Sequence, residues 1–269
     1  MINKHLRFFV LALLVITIGA VTMLSGCSGG SEDSQDVVYD DMKEAFEQSG
    51  LLSSNIGIFS KTESDGNISY GEGGSGVIFK KDGNNYYALT ASHVVSVDGA
   101  QLLVYTTNTE MKTEEIPGLD MIVLTPDTYD SMYKAEKVYV SNRDDLAIIK
   151  FTSDEDLAVI TIAEEEPQID DRIMCIGNPQ NEWFKITYGK VTSGIDKYGE
   201  SQGFPSNAMK HSAYINVGSS GGAAINEKMQ LVGTTPGANL SADGEKFVYG
   251  LMIPVSEIRQ CLDEWKSGK

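Results

Sequence analysis

Short apolar runs separated by turn residues dominate the chain from residue 56 onward. Such runs, when Gly, Asn and Asp punctuate them, are typical of β-strands joined by tight turns. Asp82-Gly83 and Asp243-Gly244 each stand between two runs, as the turn of a hairpin would. The runs cover residues 76–81, 86–90, 102–106, 121–124, 146–151, 172–177, 187–192, 213–217, 223–226, 231–235 and 247–253. This pattern predicts an all-β body built as a barrel or a sandwich.

Two helices are predicted to flank these strands. Before Gly50, apolar side chains recur at helical spacing, namely at Val38, Met42, Ala45 and Phe46. After Pro254, a second apolar stripe consists of Val255, Ile258, Leu262 and Trp265. Spacing of three or four residues marks the buried face of an amphipathic helix. We therefore predict an N-terminal helical segment within residues 37–54 and a helix that closes the chain.

The N-terminus has the pattern of an export signal. Lys4 and Arg7 precede a nearly unbroken apolar stretch, which ends in Leu24-Ser25-Gly26-Cys27. A positive segment followed by a short apolar one is typical of a secretory signal. The ending resembles a bacterial lipobox, in which the cysteine thiol takes a diacylglycerol and the chain is cut before it. We predict that residues 1–26 are removed and that residues 27–36 form a lipid-anchored, flexible tether.

Charge and composition exclude several classes of protein. The chain has 38 acidic and 21 basic residues, which gives a formal net charge of −17. Removal of the leader would remove Lys4 and Arg7 and change the net charge to −19. Because phosphates would be repelled, this balance argues against a nucleic-acid partner. The 41% of hydrophobic residues exclude bulk disorder. No apolar run besides the leader approaches the length of a membrane span, which excludes a polytopic membrane protein.

The remaining cysteines, Cys175 and Cys261, lie in apolar surroundings. They are either buried free thiols or a disulfide formed outside the cell. No cluster of Cys and His has the spacing of metal ligands, so we predict no metal site.

A glycine-rich turn around Ser220 is the candidate for a nucleophile. In Gly218-Ser219-Ser220-Gly221-Gly222, glycines on both sides permit a tight turn and the close approach of a substrate. The amides of Gly218 and Ser220 would then face a developing oxyanion. Ser219 is the alternative nucleophile.

The candidate base and acid lie at the ends of two apolar runs. His93 follows one run, and Asp145 precedes another. Removal of the leader also removes His5, so His211 is then the second histidine of the chain. It either lines a substrate pocket or is a structural residue whose ring nitrogens have hydrogen-bond partners. Asp144 is the alternative to Asp145 as the acid that orients the imidazole.

Seven segments resemble the trypsin-like serine proteases of the bacterial Deg/HtrA type, in the order in which that family has them. They are Gly74-Ser75-Gly76-Val77-Ile78, Thr90-Ala91-Ser92-His93-Val94-Val95, Asp145-Leu146-Ala147-Ile148-Ile149-Lys150, Ile176-Gly177-Asn178-Pro179, Gly189-Lys190-Val191-Thr192-Ser193-Gly194, Ile215-Asn216-Val217-Gly218-Ser219-Ser220-Gly221-Gly222 and Tyr249-Gly250-Leu251-Met252-Ile253-Pro254. They run from Gly74 to Pro254, and the resemblance as a whole covers about residues 55–265. The order His, Asp, Ser is that of the chymotrypsin arrangement.

The resemblance implies two six-stranded antiparallel β-barrels with a catalytic triad in the cleft between them. His93 and Asp145 would come from a first barrel at residues 55–165, and Ser220 from a second at 166–269, which also carries the C-terminal helix. The register within these motifs favours Asp145 over Asp144 and Ser220 over Ser219. No residues remain for the PDZ domain that often follows in this family, so we expect a protease domain alone.

The function so implied is that of a serine endopeptidase at the outer face of a bacterial cytoplasmic membrane, which cleaves exported or misfolded proteins without a cofactor. The alternatives are a catalytically silent binding or sensor lipoprotein of the same fold and an unrelated β-rich lipoprotein. The predicted substrate pocket consists of Ser212, Ala213, Tyr214, Thr234 and Thr235. Because no charged residue lies in these segments, a small or medium apolar substrate side chain is expected.

Overall fold

The computed structural model of the chain describes residues 38–116, 121–141, 143–179, 182–197, 207–241 and 246–268. Cys27, with the signal and tether predicted around it, lies outside the described residues. Within these ranges, no helix is both long and apolar enough to cross a membrane.

Strands make up most of the described elements, and helices lie at both ends. The helices are α1 (Asp40–Ser49), α2 (Pro126–Ser131) and α3 (Val255–Ser267), with short 3-10 helices at Leu51–Ser54 and Ser92–Val95. The strands are β1 (Asn55–Ser64), β2 (Asn67–Asp82), β3 (Asn85–Thr90), β4 (Gln101–Tyr105), β5 (Thr113–Ile116), β6 (Met121–Leu124), β7 (Tyr133–Val140), β8 (Ala147–Thr152), β9 (Thr161–Ile162), β10 (Arg172–Gly177), β11 (Lys185–Lys190), β12 (Asp196–Lys197), β13 (Asn207–His211), β14 (Ala223–Asn226), β15 (Gln230–Leu240) and β16 (Phe247–Pro254). The predicted all-β fold with terminal helices is confirmed.

Six antiparallel strands close the first barrel in the order β1-β2-β3-β8-β7-β4. The predicted turn between β2 and β3 is present, with Asp82 paired to Asn85. Gly83 has a φ of 59°, a conformation that glycine adopts without strain. Alternate side chains fill the barrel because successive strand residues point to opposite faces. The core includes Ile56, Ile78, Ala88, Ile149 and Phe151.

The second sheet is less regular than the six-stranded barrel that was predicted. Its main path runs β11-β10-β14-β15-β16-β13-β12, with β9 paired to β15 as an eighth strand. The two sides of the resulting curl meet at one isolated bridge, between Val191 and His211. The amide of Ser212 also donates to the Lys190 carbonyl at 3.0 Å. The amide of Thr192 likewise donates to the Lys210 carbonyl at 2.8 Å, so among the described residues a short contact just after β11 joins the two sides of the curl.

The chain crosses between the two sheets at residues 160–163. The Ile160 amide donates to the Ile78 carbonyl of the first barrel, whereas the Ala163 amide donates to Leu231 of the second sheet. The predicted boundary after residue 165 assigned β9 to the first barrel, but β9 pairs with β15. The difference arises because β9 is only two residues long and its pairing is not visible in the local pattern.

One apolar core joins the two sheets and both terminal helices. It contains Val77 of the first barrel, Met174 of the second sheet, Phe46 of α1 and Ile258 of α3, all at most 2% exposed. Burial of a side chain of this size contributes about 1.5–3 kcal/mol. Because this core spans the junction, it holds the edges of the two sheets in a fixed relation to each other.

Glu166 belongs to the acidic run Glu164-Glu165-Glu166, which lies between the two sheets. Its two carboxylate oxygens accept hydrogen bonds from the Val255 and Ser256 amides, at 2.9 and 2.7 Å. A helix leaves its first amides without intrahelical partners and favours negative charge there. Glu166 therefore caps α3 and ties the segment between the sheets to the C-terminal helix.

Candidate active site

Strand pairing brings His93 and Asp145 to the same edge of the first barrel. β3 leads into the short helix that carries His93, and Asp145 lies two residues before β8 begins. The two strands are antiparallel, with Thr90 opposite Ala147. The end of β3 and the beginning of β8 are therefore neighbours, although 52 residues separate the two side chains.

Three hydrogen bonds hold the Asp145 carboxylate against the His93 turn. His93 Nδ1 lies 2.6 Å from Asp145 Oδ2, and the His93 amide and the Ser92 hydroxyl donate to Oδ1 at 3.0 and 2.8 Å. Burial by itself raises the pKa of Asp145. The hydrogen bonds from His93 and Ser92, together with the charge of His93, lower it by more, so the pKa of Asp145 lies below its usual value. Because an ionised carboxylate can only accept, it directs the imidazole proton to Nδ1 and leaves Nε2 as an acceptor.

The segment before Ser220 forms a tight turn. The Ser219 amide donates to the Asn216 carbonyl at 2.8 Å, and Gly218 has a φ of 95°. This combination is typical of a type II turn with glycine at its third position. A Cβ atom at Gly218 would lie 2.3 Å from the Asn178 carbonyl oxygen, so the position admits no side chain.

Two amides of this turn are left without protein partners. In the part of the chain that the structure describes, the amides of Gly218 and Ser220 donate to no acceptor. Both residues are partly exposed. Because no protein acceptor in the described residues occupies these two amides, which lie two residues apart in one turn, both can donate to a negatively charged oxygen.

The Ser220 turn packs directly against the turn that carries His93. A Cβ atom at Gly221 would lie 2.4 Å from Thr90 Oγ1 and 2.7 Å from the Ala91 amide nitrogen. Ser220 Oγ donates to the Pro236 carbonyl at 3.4 Å, a long and weak bond. No hydrogen bond between Ser220 and His93 is present among the described residues.

Comparison with known proteins assigns the fold and the family. The family described as "Trypsin-like peptidase domain" matches residues 74–233, a segment that contains His93, Asp145 and Ser220. The chain belongs to the trypsin-like peptidases. A solved serine endoprotease from Yersinia pestis has the same fold, with a TM-score of 0.56 and 24% identity over 85% of this chain and 66% of that one.

Curated relatives of this trypsin-like peptidase are serine proteases by name. "Serine protease Do-like HtrB" of Bacillus subtilis is 28% identical over 198 residues, 71% of this chain and 38% of that protein. "Serine endoprotease DegS" of Haemophilus influenzae is 28% identical over 195 residues, 70% of this chain and 50% of that protein. The peptidase thus spans half or less of the length of these two relatives.

The alternative residues Asp144 and Ser219 have other partners in this peptidase. The Asp144 side chain is fully buried and accepts two hydrogen bonds from Arg143, at 2.9 and 2.6 Å. The Ser219 hydroxyl accepts from the Asn216 amide at 3.2 Å, and Ser219 is 4% exposed.

The predicted pocket residues lie in different surroundings. Ala213 and Thr234 are fully buried in the second sheet, and the hydroxyl of Thr234 has no partner among the described residues. Ser212 is exposed and accepts from the Lys190 amide. Tyr214 is half-buried, with its ring 5.3 Å from that of Phe247. The hydroxyl of Thr235 donates to the Ser219 carbonyl at 2.6 Å, so Thr235 contacts the turn itself.

Three contributors to the site were not assigned a role from the sequence. Ser92 directly precedes His93 in one of the family motifs, and its hydroxyl donates to Asp145. Ser75 and Asn178, which lie in motifs noted only for their resemblance, bond to each other, and Ser75 also bonds to the Ser220 turn. These motifs were the available signal, but a contact between residues 103 positions apart cannot be derived from one sequence.

His211 and Cys175 are structural residues of the second sheet. His211 is 0% exposed, with Nδ1 3.9 Å from Cys175 Sγ and Nε2 3.3 Å from the Leu251 carbonyl. Cys175 and Cys261 are both buried and free. No group of three or more His, Cys, Asp or Glu residues that could hold a metal ion is found in the described ranges.

The stability of the protein should depend on pH through His211. Burial lowers the pKa of His211 from 6.5 to about 4. Between these values the unfolded chain binds a proton that the folded one does not, so the free energy of unfolding falls as the pH falls, by about 1.4 kcal/mol per unit. Urea unfolding at several pH values measures this slope. In His211→Gln, the free energy of unfolding should depend less steeply on pH between 6.5 and 4, by about 1.4 kcal/mol per pH unit. Equal slopes in both proteins would contradict the prediction.

Proposed function

We propose that this peptidase is a serine endopeptidase in which Ser220, His93 and Asp145 act as nucleophile, base and orienting acid. One observation carries the proposal, namely that the His93–Asp145 pair packs beside a serine turn with two unpaired amides. The geometry supplies each group that acyl transfer requires. The names of the curated relatives support the same activity.

The proposed reaction begins with attack of Ser220 Oγ on the carbonyl carbon of a peptide bond. His93 Nε2 takes the hydroxyl proton as the new C–O bond forms, and the charge on the carbonyl oxygen is bound by the amides of Gly218 and Ser220. His93 then donates the proton to the leaving amine as the C–N bond breaks. Water attacks the acyl-enzyme by the same route. Asp145 holds the imidazole in the required tautomer and stabilises its charged form.

We further propose that the peptidase acts outside the cytoplasmic membrane, anchored through lipid on Cys27. The leader and the Leu24-Ser25-Gly26-Cys27 ending support this location. A relative from Buchnera aphidicola, 29% identical over 133 residues, is named "Probable periplasmic serine endoprotease DegP-like". Its substrates would be exported or misfolded proteins with a small or medium apolar side chain before the cleaved bond.

A fluorophosphonate probe tests the proposed nucleophile on the full-length protein in detergent. The probe phosphonylates a serine only when a base and an anion site activate it. We expect labelling at Ser220, located by mass spectrometry, with no labelling of Ser220→Ala. Labelling that persists in Ser220→Ala would move the nucleophile elsewhere.

A second candidate function is a catalytically silent binding or sensor lipoprotein on the same fold. The observation in its favour is that the Ser220 hydroxyl donates to Pro236 and makes no bond to His93 among the described residues. Rotation of the Ser220 side chain about its Cα–Cβ bond would move Oγ to another position, so this orientation is compatible with both functions. If the folded protein is not labelled by the probe, the silent lipoprotein becomes the leading candidate.

A further inference from the structure

Ser75 lies behind the Ser220 turn and contacts both residues whose amides are unpaired. Its hydroxyl donates to the Gly218 carbonyl at 2.8 Å, and its amide donates to the Ser220 carbonyl at 2.7 Å. Ser75 is 1% exposed, so both bonds are shielded from water. A residue of the first barrel thus binds the turn of the second sheet at two points.

The hydroxyl of Ser75 is used to its full capacity. Besides donating to Gly218, it accepts from the amide and from the side-chain Nδ2 of Asn178, both at 3.0 Å. A hydroxyl has one donor and two acceptor sites, and all three are occupied here. The Asn178 side-chain oxygen in turn accepts from the Phe184 amide at 2.8 Å. Alanine at position 75 would remove three hydrogen bonds together, and glycine would do the same.

The carbonyl of Ser75 connects the same residue to the His93 side of the site. It accepts from the Thr90 hydroxyl at 2.7 Å, and Thr90 is 0% exposed. A Cβ atom at Gly221 would lie 2.3 Å from this carbonyl oxygen, so the two chains are in close contact. Ser75 therefore lies between the end of β3, which leads to His93, and the turn that carries Ser220.

The bonds of Ser75 determine which way the peptide groups of the turn can face. The carbonyls of Gly218 and Ser220 point to Ser75, and the Ser219 carbonyl accepts from the Gly222 amide and from Thr235. When these carbonyls are held on the protein side, the neighbouring peptide groups lose their freedom to rotate. Without the Ser75 hydroxyl, the Gly218 carbonyl would lack its protein partner and could turn toward water.

We propose that Ser75 is a positioning residue that holds the Gly218 and Ser220 amides in the orientation needed to bind an oxyanion. The inference rests on the proposed function, because it assigns Ser75 a role in that same site. Ser75 does not touch the reacting atoms. It acts through the turn, and its loss should therefore slow the chemical step more than it weakens the binding of a reactant.

The test compares Ser75→Ala with Ser54→Ala in the full-length protein. Ser54 is a matched control, because it is 0% exposed and its hydroxyl donates to the Leu51 carbonyl at 2.7 Å, in the short helix before β1. Fluorophosphonate labelling at several probe concentrations separates the maximal rate of phosphonylation from the half-saturating concentration, and urea unfolding gives the stability of each variant. Ser75→Cys is the second variant, since its thiol is similar in size but is a weak donor.

We expect Ser75→Ala to lower the maximal labelling rate by roughly 10- to 100-fold with little change in the half-saturating concentration. Ser54→Ala should lose stability and keep the wild-type rate. If Ser75→Ala does not fold, Ser75→Cys must show the lowered rate. The inference is overturned if a folded variant at position 75 labels at the wild-type rate, or if its loss of rate equals that of Ser54→Ala. A wild-type protein that is not labelled at all would refute the proposed function instead.

Discussion

Replacing Ser220 by alanine is expected to lower kcat/KM for peptide hydrolysis by a factor on the order of 10⁴ or more, while the protein stays folded. The hydroxyl oxygen is the atom that forms the acyl bond in the proposed reaction, and alanine offers no substitute. Folding should survive because, within the described ranges, the Ser220 hydroxyl makes only the 3.4 Å bond to the Pro236 carbonyl. Release of fluorescence from labelled casein, with urea unfolding of the same preparation, measures both effects.

Ser219→Ala is the matched control for this prediction. It removes a hydroxyl from the adjacent residue, where Ser219 Oγ accepts from the Asn216 amide. Casein cleavage should remain measurable in this variant, because the nucleophile is retained. If Ser219→Ala abolished cleavage and Ser220→Ala did not, the register of the proposed site would be wrong by one residue.

Asp145→Asn is expected to lower kcat by about 10⁴-fold near neutral pH with a smaller effect on KM. An asparagine amide can donate to His93 Nδ1, which favours the tautomer with the proton on Nε2, where the base function is needed. The side-chain oxygen of asparagine can still accept from the Ser92 hydroxyl and the His93 amide, as Asp145 Oδ1 does, so the amide nitrogen takes the place of Oδ2 beside His93. Steady-state hydrolysis between pH 5 and 9 measures the loss.

Asp144→Asn separates the two neighbouring carboxylates. Asp144 accepts from Arg143, which also pairs with Glu257 and Glu264 of α3, so this change should lower stability without altering the His93 tautomer. A loss of kcat as large in Asp144→Asn as in Asp145→Asn would contradict the proposed roles.

The pH dependence of stability provides a further check on Asp145. Its pKa is lower in the folded protein than its usual value. Asp145 therefore contributes stability that is present above the ordinary carboxyl pKa and is lost as the pH falls through the lower folded value. In Asp145→Asn, this part of the acid destabilisation should be absent from urea unfolding curves.

Several features of the fold followed from local patterns. The spacing of Met42 and Phe46 predicted α1, and the Asp82-Gly83 turn predicted the β2–β3 hairpin. Both are confirmed, because helix periodicity and turn chemistry act over only a few residues. The closed first barrel, which the family resemblance implied, is confirmed as well.

Other features depended on contacts that no short segment contains. The two-residue strand β9 is defined only by its pairing to β15, and Glu166 caps a helix that begins 89 residues later. Among the described residues, the second sheet closes at an isolated bridge between Val191 and His211, which a repeating pattern cannot predict. In each case the deciding interaction is a hydrogen bond between distant parts of the chain.

The sequence by itself determined which side chains could carry the chemistry, because the types, order and local motifs of His93, Asp145 and Ser220 are properties of the chain. Only the tertiary structure decided how they are held. It joins His93 to Asp145 through the pairing of β3 with β8, leaves two amides of the Ser220 turn unpaired, and anchors that turn on Ser75. Hydrogen bonding depends on distance and direction in space, and these are defined only when the two sheets have packed together.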